Sequence, residues 1–350
     1  MRRGNYSKYE FLGQVGFNGF ELGAEGPISR KSRSSFLVNY RLSTLEAFSA
    51  LGVNLGVGAA VPKYQDLSFK LHVPIKGVGN FEVFGLGGIS SIDLLATEDL
   101  KAQRELEAKG EDTGDNFYTS NLNIYNRVRS GMVGLSQSLT LGKNTTLKAT
   151  VATTAYHNGT WLDSLPIINY GQPNFDFGTP QPWIYNNNLD MNTTARLVLK
   201  HKLSAQHFLS FGVLATRVDV FLRDSIYRQH LNGFMDRQDV HSTYYRYQPY
   251  AQWQYTPNEK WIINTGLNLL AVSLNQELSL EPRLGVRYNL TDRDKLNFGY
   301  GLHSQTAPGY VYFTQQRIGG QSIQPNSELG LMYSQHLVLG YDRQLIPKPA

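Results

Sequence analysis

The segment His157–Met191 holds the densest set of side chains suited to capturing a ligand. Trp161, Tyr170, Phe175, Phe177, Trp183 and Tyr185 stand there among Asn, Gln and Asp. Aromatic faces beside amides suit sugar or peptide capture, because the rings cover apolar surface while the amides satisfy polar groups. Rings of this kind more commonly pack within their own loop. Further along, Glu281, Arg283 and Arg287 share one side of an alternating stretch and suit either a channel lining or a structural ladder of ion pairs. Trp161, Tyr170, Trp183, Tyr185 and Arg283 are the expected ligand contacts. The stretch Glu98–Asp115 is rich in carboxylates, with Lys101, Arg104 and Lys109 interspersed, and predicts a solvated helix over Leu100–Ala108. Glu111-Asp112-Thr113-Gly114-Asp115-Asn116 offers oxygens to Ca²⁺ without full EF-hand spacing, so no metal site is expected.

Catalytic patterns are missing. There is no hydrolase elbow, P-loop, zinc-protease helix motif or dinucleotide fingerprint. Gly85-Leu86-Gly87-Gly88 lies inside a predicted strand and opens no helix, and the eight His have no ligand spacing. With no Cys, disulfides and thiolate metal sites are excluded. The net charge of +5 comes from dispersed Lys and Arg, which argues against a nucleic-acid partner. Neither an enzymatic reaction nor a cofactor is expected.

The elements that must carry these residues are strands. In Leu280-Glu281-Pro282-Arg283-Leu284-Gly285-Val286-Arg287-Tyr288-Asn289-Leu290 the even positions are apolar, apart from Pro282, and the odd ones are polar or glycine. A polar turn, Thr291-Asp292-Arg293-Asp294, precedes a second alternating run, Leu296–His303. Successive strand side chains point to opposite faces, so this is a hairpin with one apolar and one polar face. The unit recurs along the chain and gives about fourteen strands of roughly nine to twelve residues, the length a tilted strand needs to cross a bilayer. The first two, Tyr9–Phe17 and Phe20–Gly26, meet at Asn18-Gly19, a favoured hairpin turn. Pro249 and Pro282 fall inside predicted strands and mark expected irregularities.

Connections are sorted by length. Short ones are predicted at Pro74–Gly79, Gly142–Asn144, His201–Ala205, Thr256–Glu259 and Thr291–Asp294. Long ones fall between them at Ser43–Tyr64, Asp93–Arg129, His157–Met191, Leu222–Thr243 and Gln305–Gln335; Val272–Ser279 is the short exception. Transmembrane barrels sort their connections in this way. Aromatics bunch beside the Thr256–Glu259 turn, as in an interfacial girdle. Mean hydropathy is −0.34, which a spanning barrel shares with soluble proteins because half of each strand faces a polar lumen. Ala47–Val61, the best candidate spanning helix, is too short and too polar.

The Leu280–Leu290 and Leu296–Gln305 runs resemble the barrel of TonB-dependent receptors of the Bacteroidetes type. So do Glu25-Gly26-Pro27-Ile28, Ser34–Arg41 and Ser334–Asp342. The resemblance covers almost the whole chain. It implies an antiparallel transmembrane β-barrel of about twenty-two strands around an N-terminal plug, energised by the TonB complex of the inner membrane. No plug precedes Tyr9, no signal peptide follows Met1-Arg2-Arg3, and the terminal aromatic strand is not found after Ile346-Pro347. Residues 1–350 are therefore expected to be part of a larger barrel, with outer-membrane lipid, an extracellular nutrient and the TonB complex as partners. The alternatives are a smaller, self-closed passive porin-like barrel and a soluble all-β carbohydrate-binding module.

Overall fold

The computed structural model describes residues 2–16, 19–43, 45, 60–110, 121–172 and 175–345. The chain begins with β1 (Glu10–Gly16), β2 (Gly19–Ser29), β3 (Ser34–Leu42), β4 (Lys63–Ile75) and β5 (Gly79–Leu95), and then forms helix α1 (Ala96–Lys109). It continues with β6 (Leu122–Leu141), β7 (Thr145–Ser164), the short β8 (Ile167–Ile168) and β9 (Asp176–Phe177), β10 (Gln181–Lys202) and β11 (His207–Arg228). β12 (Gly233–Tyr255), β13 (Trp261–Val272), β14 (Leu278–Asn289) and β15 (Asp294–Gln305) follow. The last elements are helix α2 (Gly309–Tyr312), the ribbon β16 (Gln316–Ile318) and β17 (Gln321–Ile323), and β18 (Met332–Arg343).

Fourteen of these strands form one antiparallel sheet in simple up-and-down order, from β1 to β7, then β10 to β15, then β18. This is the expected all-β transmembrane-barrel architecture, with the expected number of strands. β1 and β18 stand at its two ends in the described sheet.

Helix α1 contains the predicted Leu100–Ala108 segment. It ends where Gly110 turns left-handed at φ 72° and donates its N–H to Glu107 and Leu106. The candidate Ca²⁺ segment Glu111–Asn116 and most of Ala47–Val61 lie outside the described residues, as does the Asn18 half of the first turn.

The prolines interrupt the ladder in different ways. Around Pro249 the pairing of β12 with β13 skips from Tyr247↔Ala271 to Tyr250↔Asn268. Pro282 stays paired with Leu267 on β13, but the pairing of β14 with β15 starts only at Arg283↔Gly301.

Each wall strand has an outer and an inner face. The inner one is defined by the segment 306–331, whose α2 packs against β11. Along β11 the outer face runs Leu209, Phe211, Val213 and Ala215, then turns polar at Arg217 and Asp219. The inner face does the reverse: Ser210, Gly212, Leu214 and Thr216, polar or small apart from Leu214, give way to buried Val218, Val220 and Leu222. A strand in water would keep one apolar face throughout. This exchange fits a strand whose first part borders hydrocarbon and whose second part rises into water and packs on its own lid.

That extension corrects one sequence expectation. Leu222–Thr243 is not a long loop. β11 and β12 stay paired up to Arg228↔Gly233 and are joined by Gln229–Asn232. The strands overran their predicted ends because the apolar face had changed sides, which breaks the period-two signal without ending the strand.

At the short-turn end the outer face carries the predicted girdle. His207 stacks on Tyr255 with ring centroids 4.8 Å apart, Trp253 donates Nε1–H to His207 Nδ1 at 3.1 Å, and Trp261 lies 4.5 Å from Tyr288. At the neighbouring turn Tyr341 of β18 donates its hydroxyl to Asp294 at 2.5 Å, and this bond holds the Asp294 carboxyl below its usual range.

Adjacent positions on β7 test the facing. Val151 is 54% exposed on the outer face, whereas Thr150 lies inward opposite Ser136 and Arg196. Val151→Arg should cost about 2–4 kcal/mol in lipid vesicles, and Thr150→Arg far less. Urea titration of the folded fraction, followed by heat-modifiable gel mobility, reads the difference.

Candidate ligand-binding lumen

The inner face of β10–β15 gathers hydrogen-bonding side chains along a wall thinned by glycine. Arg196 on β10, Gln248, Tyr250 and Gln252 on β12, Asn268 on β13 and Arg283 on β14 line a recess of about 310 Å³. Gln252, Gly266 and Arg283 also border an adjoining recess of about 370 Å³, which reaches Asn264 and Gln254. The Tyr250 ring lies over Gly212, where an added Cβ would come within 2.4 Å of ring carbons. Gly212 thus lets the tyrosine lie flat against the wall.

Glu281 organises the far side. It is 2% exposed, and its Oε1 accepts the Ser304 N–H at 3.0 Å and the Ser304 hydroxyl at 2.6 Å. Its Oε2 accepts from Asn268 Nδ2 at 2.8 Å and from Arg283 Nη2 at 2.9 Å. The Ser304 bond falls where the pairing of β14 with β15 has stopped, so a carboxylate takes up a backbone donor beyond the end of that ladder. Four bonds satisfy the buried charge while Arg283 also lines the recess, its buried Nε without a partner among the described residues. Arg246 reaches Asn192 Oδ1 at 3.3 Å, and its Nε also lacks a partner.

Above this wall the 306–331 segment forms a lid. Tyr312 and Phe313 pack on Tyr244, with ring centroids 6.4 and 6.3 Å away, within a buried cluster that includes Val220, Val240, Leu270 and Val272. Asn275 donates to the Leu329 carbonyl at 2.7 Å and Gln238 to that of Gln315 at 3.4 Å, tying the lid to the β13–β14 connection and to β12.

The five expected ligand residues do not converge. Arg283 lines the inner recess, paired with Glu281. Trp161 and Tyr185 lie on strands, not in a loop; they are register partners on β7 and β10 with centroids 5.8 Å apart. Stepping by twos from outward-facing Val151 leads to Trp161, which places the pair on the outer face above the apolar band. Tyr185 continues to Phe234 at 6.3 Å, and Arg127 sits 5.9 Å from the Trp161 centroid. Trp183 occupies the register shift between Pro182 and Ile184, and Tyr170, 84% exposed, projects from the connection after β8. Sequence reasoning missed Arg196 and Arg246. Each stands between two outward residues, Ala195 and Leu197 or Tyr245 and Tyr247, the same signature that singled out Arg283.

Neither a protein-family model nor a curated protein matches this chain. Solved structures do. The ferric-catecholate import receptor Fiu from K12 E. coli aligns at TM-score 0.68 and 12% identity, over 99% of this chain and 57% of that one. The copper transporter OprC aligns at 0.62 and 14%, over 98% and 52%. A ferric enterobactin receptor (PfeA) mutant from Pseudomonas aeruginosa aligns at 0.58 and 13%, over 96% and 50%. The chain thus spans about half the length of the structures it matches. At this identity the likeness is one of fold, and it is the receptor-barrel fold that the TonB-dependent resemblance implies.

Removing the organising carboxylate should be costly. Glu281→Ala strands the Ser304 N–H and the Arg283 charge and is expected to lower stability by about 3 kcal/mol. Glu281→Gln, which keeps an acceptor for Ser304, should lose less. Chemical unfolding of the two variants in one detergent gives the comparison.

Proposed function

We propose that this chain is the wall portion of an outer-membrane uptake receptor. It would bind an extracellular nutrient and release it inward under the drive of the TonB complex, acting through a plug within the barrel. The observation that carries the reading is the exchange of apolar faces along β11, which fits a strand that crosses hydrocarbon and then rises above it. Unpaired backbone groups at β1 and β18 would cost several kcal/mol each within lipid. The fourteen strands therefore belong to a larger closed barrel, and this disfavours a passive barrel that closes unaided. The likeness in fold to metal and siderophore receptors supports uptake in place of catalysis.

In this reading the short turns face the periplasm, and α1, the β8–β9 connection and the lid face the exterior. Trp161, Tyr170, Trp183 and Tyr185 belong to the outer rim, where a nutrient first arrives. Arg283, with Arg196 and Arg246, lines the passage beneath the lid and suits an oxygen-rich cargo, since guanidinium groups only donate hydrogen bonds.

The lack of native Cys makes topology directly testable. Gln172→Cys in the β8–β9 connection should react with an impermeant maleimide on intact cells. Lys143→Cys in the β6–β7 turn should react only after the outer membrane is opened. The reverse pattern, or release of the protein into the soluble fraction without detergent, defeats the proposal. In the complete receptor, Arg196→Ala should lower nutrient uptake several-fold at unchanged surface abundance.

A further inference from the structure

On the outer face of β4–β7 the apolar band is indented. Gly87 on β5, Gly131 on β6 and Ala155 on β7 are register partners in one row, so three adjacent strands present almost no side chain at the same level. Leu67, Phe69 and Ile89 border the depression, whose volume is about 530 Å³. The backbone there is close-set: a Cβ on Gly87 would lie 3.2 Å from the Ser130 carbonyl oxygen and one on Gly131 3.3 Å from that of Leu86.

The upper rim has a different chemistry. Arg129 and His157 are direct cross-strand partners one step above Gly131 and Ala155, and both line the groove. Other arginines on this outer face are paired: Arg127 with Asp93, Arg217 with Asp219 and Arg223 with Asp236. The exposed Arg129 guanidinium makes no ion pair or side-chain hydrogen bond among the described residues. His157 donates its Nε2–H to Asn187 Oδ1, which leaves its Nδ1 a buried acceptor with no partner among the described residues. An apolar groove facing hydrocarbon, with an uncompensated guanidinium at its extracellular rim, matches a molecule with a saturated tail and an anionic head at the same depth.

We propose that this groove binds one acyl chain of a phosphorylated glycolipid of the outer leaflet, of the lipid A type, with a phosphate held by Arg129. The site rests on the membrane orientation proposed above, because Arg129 must stand at the exterior boundary. Charge complementarity selects the occupant. A zwitterionic lipid would fill the groove but leave Arg129 beside a head group carrying its own cation.

Native mass spectrometry of the full chain, folded in detergent and mixed with diphosphorylated lipid A, tests the site. Wild type should hold one lipid A in preference to phosphatidylethanolamine. Arg129→Gln should weaken that binding by about tenfold, and Ala155→Phe should abolish it by filling the groove. Val213→Phe, on the same outer face but away from the groove, should change nothing. Folding of every variant is checked by heat-modifiable mobility; Arg129→Glu serves as the second charge variant should Arg129→Gln fold poorly. Equal binding by all variants, unsaturable adducts, or a second protein copy in place of lipid would overturn the assignment. Should maleimide labelling place the turns as proposed while lipid A shows no preference, the groove assignment alone falls. Should labelling fail, the membrane reading falls first.

Discussion

Every other property of this protein depends on keeping backbone N–H and carbonyl groups paired where no water can reach them. An amide left alone in hydrocarbon costs several kcal/mol, so a spanning sheet tolerates few breaks. Two prolines test this limit. At Pro249 the register with β13 skips two positions, and at Pro282 the ladder with β15 stops short. Glu281 repairs the second break by accepting the Ser304 N–H, and the same carboxylate anchors Arg283 toward the lumen. A backbone break and the Arg283 side chain are thus held by one buried charge, and neither can change alone.

The second organising fact is that inside and outside exchange roles along a strand. Near the short turns the outer face is apolar, ends in a stacked girdle around His207, Trp253 and Tyr255, and leaves the inner face to glutamine, asparagine and arginine. Farther along, the outer face turns charged and the inner face meets the lid through Val220, Tyr244 and Tyr312. The lid is therefore a small hydrophobic core built inside a polar passage. Its burial gives the long 306–331 connection a defined place above the recess.

Much of the architecture was legible from the chain. The period-two runs placed fourteen strands, and the short turns at Gly142–Asn144 and Thr291–Asp294 fell where polar residues interrupt alternation. Helix α1 was visible because Leu100–Ala108 is composed of strong helix formers. The loop at Leu222–Thr243 was misjudged because apolar residues changed parity there, and alternation read on one face cannot follow a strand through that change. The ligand residues were read less well. Aromatics in a polar stretch look alike whether they line a passage or its exterior, and Trp161 with Tyr185 proved to be exterior.

Local chemistry alone determined the strands, their short turns, the helix and which side chains alternate, because these follow from steric preferences within a few residues. It also identified Arg283 as a residue turned from lipid. Which strands lengthen above the membrane, which arginines join Arg283 around one recess, and which residues lean on the lid were decided by register between strands far apart in the chain. Register sets neighbours at distances that no local pattern encodes, and so Arg196, Tyr250 and Glu281 came together only in the folded sheet.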